Sequence, residues 1–171
     1  MSESLTVAMQ NASLANRRRL LIVDALNFLH AVVPTEEETF REAFAPALFR
    51  ETERRVHAIA SAARAADLEL LWVFDNGQST EEAREKWQER RFKEVMDSTR
   101  RMPCSAETVF FALLEQAGFL VLYPPGIDGD DAVALLAWHL DGIVLSRDRD
   151  LLRYEPELPR ERVFREFAIC G

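Results

Sequence analysis

Seven aspartates, Asp24, Asp75, Asp128, Asp130, Asp131, Asp148 and Asp150, carry the chemistry that this chain could do. Five of them fall within GIDGDDAVALLAWHLDGIVLSRDRDLLRY, residues 126–154. There Asp128, Asp130 and Asp131 precede an apolar, helix-like run, and Asp148 and Asp150 follow a short β-type stretch. The other two each close an apolar run, LLIVD at Asp24 and LLWVFD at Asp75. Carboxylates brought together repel one another, and placing them beside apolar strands adds a desolvation cost. Three arrangements answer that cost. Aspartates can cap helices and complement the macrodipole, they can lie on a solvated surface, or they can share a cation. Hard ions such as Mg²⁺ and Mn²⁺ take carboxylate oxygen and water, and need neither His nor Cys.

The elements that must position these residues follow from the hydrophobic pattern. RLLIVD, LELLWVFD, GFLVLYPPG and GIVLSRD each carry a continuous apolar run, which suits strands buried on both faces of a parallel sheet. RVFREFAI is weaker and alternating, and reads as an edge strand. Helical patterns separate them at about 38–66, interrupted by Pro46, and at 80–98, 105–117 and 129–140. Alternating strands and helices imply an α/β, three-layer architecture with a mostly parallel central sheet of about five strands. In such sheets sites form beyond the carboxyl ends of the strands. Asp24, Asp75, the Asp128–Asp131 group and Asp148 follow four successive strands, so the pattern delivers carboxylates to one rim. Caps and turns explain each aspartate singly, but they do not predict an aspartate after every strand.

Composition narrows the classes. The chain has 171 residues, of which 48% are apolar and 29% charged, the make-up of one cored globular domain over 20–171 after a loose leader at 1–19. Its net charge of −8 and pI near 5.0 exclude blanket electrostatic binding of duplex DNA, so a nucleic-acid partner needs a local basic patch. Three histidines and two cysteines show no zinc-ligand spacing. His30 and His57 read as structural and His139 as a helix-face residue. Lone thiols without a secretory segment point to a reducing intracellular compartment, cytoplasm or nucleus. No apolar run approaches the ~20 residues of a membrane span, so no membrane partner is expected.

LLIVDALNFLH, WVFDNG, RRMPCSAETVFFALLEQAGFLVLYPPGIDGDDAVALLA and VLSRDRDLL, in that order, resemble the acidic motifs of the PIN-like nuclease superfamily. The likeness is to its flap endonuclease and bacterial DNA polymerase I 5′-3′ exonuclease branch, and it runs from about Leu20 to Leu152. The resemblance implies a PIN-like fold and a hydrolase that cleaves phosphodiester bonds with one or two Mg²⁺ or Mn²⁺ ions. Two such ions about 4 Å apart clamp the attacking and leaving oxygens. The implied metal ligands are Asp24, Asp75, Asp128, Asp130, Asp131, Asp148 and Asp150, with Asp24, Asp130 and Asp148 at the catalytic centre. The chain departs from the family in carrying Ala25 where a glycine is usual and Asp128 where a glutamate is usual. With 21 residues after Asp150 (150 to 171), the family's helical duplex-binding segment has no room, so a protein partner is the expected source of any duplex grip. VDALNFLHA also resembles the compact YacP-like (NYN) RNases, which leaves an RNA substrate open. A non-catalytic RNA- or protein-binding scaffold is the other rival.

TEEAREKWQERRFKEVMDSTRR occupies the place of the family's arch, at about 78–103. From Arg84 to Arg101 it holds seven basic and four acidic residues, a local +3. Arg84, Lys86, Trp87, Arg90, Arg91, Lys93, Arg100 and Arg101 form the expected nucleic-acid contact, the cations on phosphates and the ring on a base. Arg84, Arg90 and Arg91 come soonest after Asp75 and are the candidates to reach a scissile phosphate. The plain alternative is an amphipathic surface helix. A phosphotransferase of the haloacid dehalogenase type requires a second aspartate two positions after the first, and Leu26 stands there.

Overall fold

The computed structural model of the chain describes residues 19–33, 46–75, 81–96 and 105–166. The expected leader, the opening of the helix expected from 38, the turn at Asn76 and Gly77, Arg100, Arg101 and the end of the fifth apolar run lie outside the described residues. In chain order the elements are β1 (Arg19–Asp24), α1 (Ala25–Val32), α2 (Pro46–Ala65), β2 (Leu68–Val73), α3 (Glu81–Met96), α4 (Ala106–Gln116), β3 (Leu120–Leu122), α5 (Gly129–His139), β4 (Ile143–Leu145) and β5 (Val163–Phe164). Short 3₁₀ turns cover Asp150–Tyr154 and Arg160–Arg162.

The sheet has five strands in the order β3-β2-β1-β4-β5, and every pairing is parallel. Its two faces sort the apolar residues by the two-residue period of a strand. Val23, Leu70, Trp72 and Leu145 face one core, with Phe28 of α1, Val56 and Ile59 of α2, and Phe110 and Leu114 of α4. Ile22, Leu71, Val73 and Val144 face the other, with Val133, Leu136 and Ala137 of α5 and with Leu151 and Leu158 beyond β4. Helices thus cover both faces, and the expected three-layer α/β architecture with a central parallel sheet is observed. A fully covered parallel sheet explains why the strands read as unbroken apolar runs.

Three helices enter the following strand through a left-handed residue. Gly118 (φ 85°) stands between α4 and β3, Asp67 (φ 52°) between α2 and β2, and Asp141 (φ 52°) between α5 and β4. A residue in this conformation lets the next amides return to the helix's last carbonyls. Phe119 N bonds Leu114 O at 3.1 Å and Gly142 N bonds Ala137 O at 3.0 Å. Aspartate tolerates the conformation because its short polar side chain can bond locally. These tight exits bring each strand in at once, so every carboxyl end emerges at the same rim.

The structure differs from the sequence-based expectation at two elements. α1 follows β1 without a linker, although the expected order had no helix there. The cause is Asp24 itself, whose carboxylate accepts the Asn27 amide at 3.2 Å and caps the helix. β5 is only two residues long among the described residues, a parallel edge strand beside β4.

Phe110 is fully buried, edge-on to Trp72 with ring centroids 5.4 Å apart and 6.0 Å from Phe74. Phe110→Ala should therefore cost about 3–5 kcal/mol. Urea denaturation would show this as a lower midpoint at an unchanged slope.

Candidate functional site

Strand order alone sets a crevice at the carboxyl edge of the sheet. From β1 the chain steps outward to β2 and β3, then returns across the sheet to add β4 on the other side of β1. The helices leading to the two neighbours of β1 therefore lie on opposite faces and part between the carboxyl ends of β1 and β4. Open parallel sheets bind ligands at such a switch point. Asp24 ends β1, and Ser146, Arg147 and Asp148 follow β4 directly.

Ser146 binds these two ends together. Its buried hydroxyl donates to Asp24 Oδ2 at 2.8 Å and accepts the Asp148 amide at 3.1 Å. Asp24 also accepts the side-chain amide of Asn27. Asp148 in turn accepts the Asp150 amide through Oδ1 at 2.8 Å, so each carboxylate is oriented by the turn that follows it. On the third side α5 opens at Asp128, which caps the helix by accepting the Asp130 amide at 3.0 Å. Gly129 is the point of contact with β2. A Cβ there would lie 3.0 Å from Asp75 Cβ and 3.3 Å from its Cα, so the absence of a side chain lets α5 abut the end of that strand.

Asp130 reports the convergence electrostatically. Burial, followed by the charges of Asp148, Asp24 and Asp128, pushes its carboxyl up to about 6, opposed by the Arg153 guanidinium. The structure thus brings Asp24, Asp128 and Asp148 within electrostatic reach of Asp130. Asp131 turns away to accept the Tyr154 hydroxyl, Asp75 stands at the Gly129 contact, and Asp150 is exposed at the start of its 3₁₀ turn. The oxygen-only donor set suits Mg²⁺ or Mn²⁺ in kind. Among the described residues, however, no three His, Cys, Asp or Glu side chains stand together as a ready metal cage. The two observations agree, because charge repulsion reaches further than a coordination bond of about 2.0–2.6 Å.

Four residues of the rim carried no functional expectation. Ser146 and Asn27 orient Asp24, and both were visible as hydrogen-bonding residues beside a strand-end aspartate. Arg153 lies 3.8 Å from an Asp130 oxygen and 3.6 Å from one of Asp131, and it bonds the Tyr154 hydroxyl at 2.7 Å. Arg147 extends over the Phe28 ring at 5.8 Å. The cations expected to meet nucleic acid are centred instead on α3. There Arg84 is exposed and paired with Glu81, and Lys86 and Lys93 are exposed. The side chains of Trp87, Arg90 and Arg91, with Arg100 and Arg101, lie outside the described residues.

No protein-family model matches the chain, and no curated protein matches it by sequence. Among the described residues no helix is long and apolar enough to cross a membrane.

The raised Asp130 value has a definite sign. A folded-state pKa of about 6 against an ordinary 3.8 means that the folded chain binds the proton more tightly than the unfolded one. Stability therefore falls as pH rises from about 4 to 6, and the full penalty remains above that range. Asp130→Asn should stabilise the metal-free protein at pH 7–8 by about 1–2 kcal/mol, less than the whole shift because water screens a partly open carboxyl. Denaturation midpoints of the two proteins, measured in EDTA, should converge towards pH 4.

Proposed function

We propose that the chain is a divalent-metal-dependent nuclease of PIN-like fold, acting on nucleic acid in the manner of the flap endonuclease and 5′-3′ exonuclease branch. Single-stranded or flapped ends are its expected substrates, DNA or RNA. The observation that carries this reading is the Ser146 bridge, 2.8 Å to Asp24 and 3.1 Å to the Asp148 amide, which fixes two acidic strand ends to each other at the switch point of the sheet. A structural role alone does not require carboxylates there, since their mutual repulsion weakens the fold.

Asp24, Asp130 and Asp148 are the residues that would hold Mg²⁺ or Mn²⁺, with Asp128 beside them and Asp75, Asp131 and Asp150 at the periphery. Bound there, the ion would lower the pKa of a water molecule and supply the nucleophile. The chain's own contribution is orientation and charge. Asn27 and Ser146 hold Asp24 in one rotamer, and the Asp150 amide holds Asp148. Arg147 and Arg153 stand at the rim as cations able to offset negative charge that develops on a phosphate. The basic face of α3 is the proposed guide for the strand.

The test joins binding to chemistry. Mn²⁺ at about 100 times its Kd should stabilise the folded chain by about 2.7 kcal/mol, because only the folded state assembles the site. It should also support cleavage of labelled single-stranded, flapped or RNA substrates. Asp148→Asn should remove both effects with the fold intact. Ser146→Ala touches no ion and should lower cleavage about 10–100-fold by releasing the carboxylates it orients. An unchanged melting temperature in saturating Mn²⁺, with no substrate cut, would refute the reading.

A further inference from the structure

Beside the acidic rim, and sharing with it only the peripheral Asp131, a groove of about 230 Å³ runs between α5 and the turn that follows the 3₁₀ segment. Asp131, Leu135 and Trp138 line one wall, a stripe at helical spacing, and Tyr154, Glu157 and Leu158 line the other. Leu158 is buried at its base, whereas Trp138 is 55% exposed at its edge, one side of its ring against His139. The cleft is smaller than the ~300–1,000 Å³ of sites for drug-sized ligands, and it suits a single flat ring.

We propose that this groove takes one unpaired base of a single-stranded nucleic acid, stacked beside Trp138, with Arg153 on the adjoining phosphate. The occupant follows from the chemistry of the walls. An apolar floor and an exposed indole suit a π-face. The Asp131 and Glu157 carboxylates at the lip accept hydrogen bonds from the ring N–H and amino groups of a base, and they repel a free anion. The Arg153 guanidinium, stacked 4.9 Å above the Tyr154 ring and half exposed, sits between the groove and Asp130. It therefore marks the side on which the backbone must pass. Asp131 belongs to both groove and rim, so a strand seated here leads directly toward Asp130. The assignment rests on the nucleic-acid part of the reading above and does not depend on catalysis.

Anisotropy with short labelled single-stranded DNA and RNA, using the full chain in EDTA and again in Ca²⁺, tests it. Trp138→Ala should bind roughly tenfold more weakly, as expected for the loss of one stacked base, with circular dichroism unchanged. Arg153→Gln should reduce the salt dependence by about one phosphate. Unchanged affinity of Trp138→Ala would overturn the proposal, as would binding lost in Trp87→Ala but kept in Trp138→Ala. Self-association abolished by Trp138→Ala, with no effect on oligonucleotides, would also overturn it and give the groove to a second copy. Binding that depends on Trp138 without cleavage in Mn²⁺ would keep the groove and remove the nuclease. Cleavage with Trp138-independent binding would do the reverse.

Discussion

A single serine hydroxyl holds the rim together against its own charges. Ser146 Oγ is shared between the Asp24 carboxylate and the Asp148 amide, and it is one of only two buried polar residues among those described, the other being Thr52. Because β1 and β4 are parallel, their carboxyl ends cannot be joined by a hairpin, and side chains must hold them in register there. A charged acceptor makes this a stronger bond than a neutral pair. Without it, repulsion between the two acidic ends would act on strands whose mutual pairing covers only three residues, Leu21 to Val23 with Ile143 to Leu145.

The same principle governs the approach of α5. Asp128, Asp130 and Asp131 all stand at its N-terminus, where the partial positive charge of the unpaired amides favours them. One of the three, Asp128, spends its carboxylate on capping. Asp131 is drawn to Tyr154, whose hydroxyl is pushed up to about 12 by burial and then by that bond. Asp130 makes no hydrogen bond of this kind among the described residues, and burial, followed by the charges of Asp148, Asp24 and Asp128, raises it. Helix capping and the proposed cation binding are therefore divided between adjacent residues of one motif.

Much of this was legible in the sequence, and the limits have physical causes. The apolar runs LLIV, LLWV and IVL marked covered strands because both faces of the sheet are buried. An aspartate after each run pointed to a common rim because parallel strands share a direction. Strand order was not legible, since no local pattern states that β4 returns to pair with β1, and the switch point depends on that order. Ser146 was read only as the end of a strand, and Arg153 carried no expectation. Their partners lie 122 and about 20 residues away in sequence, a relation that propensity and periodicity do not carry. Asp75 was read as one of the implied metal ligands, and the structure sets it against Gly129 at the start of α5.

The central place of β1 has a consequence for how the chain is made. Its first neighbour, β2, arrives within about 50 residues, but its second, β4, pairs Leu21 with Ile143. During synthesis one edge of β1 must therefore wait, unpaired, until most of the chain has emerged. Contacts this distant close slowly, because chain entropy is lost before any contact compensates for it. Until then an apolar strand with a bare row of amides and carbonyls is a template for pairing with another chain. Asp24 at the end of that strand and Arg19 at its start bracket the exposed edge with charge. The residues that bound the strand in the finished sheet are thus also placed to guard it before the sheet exists.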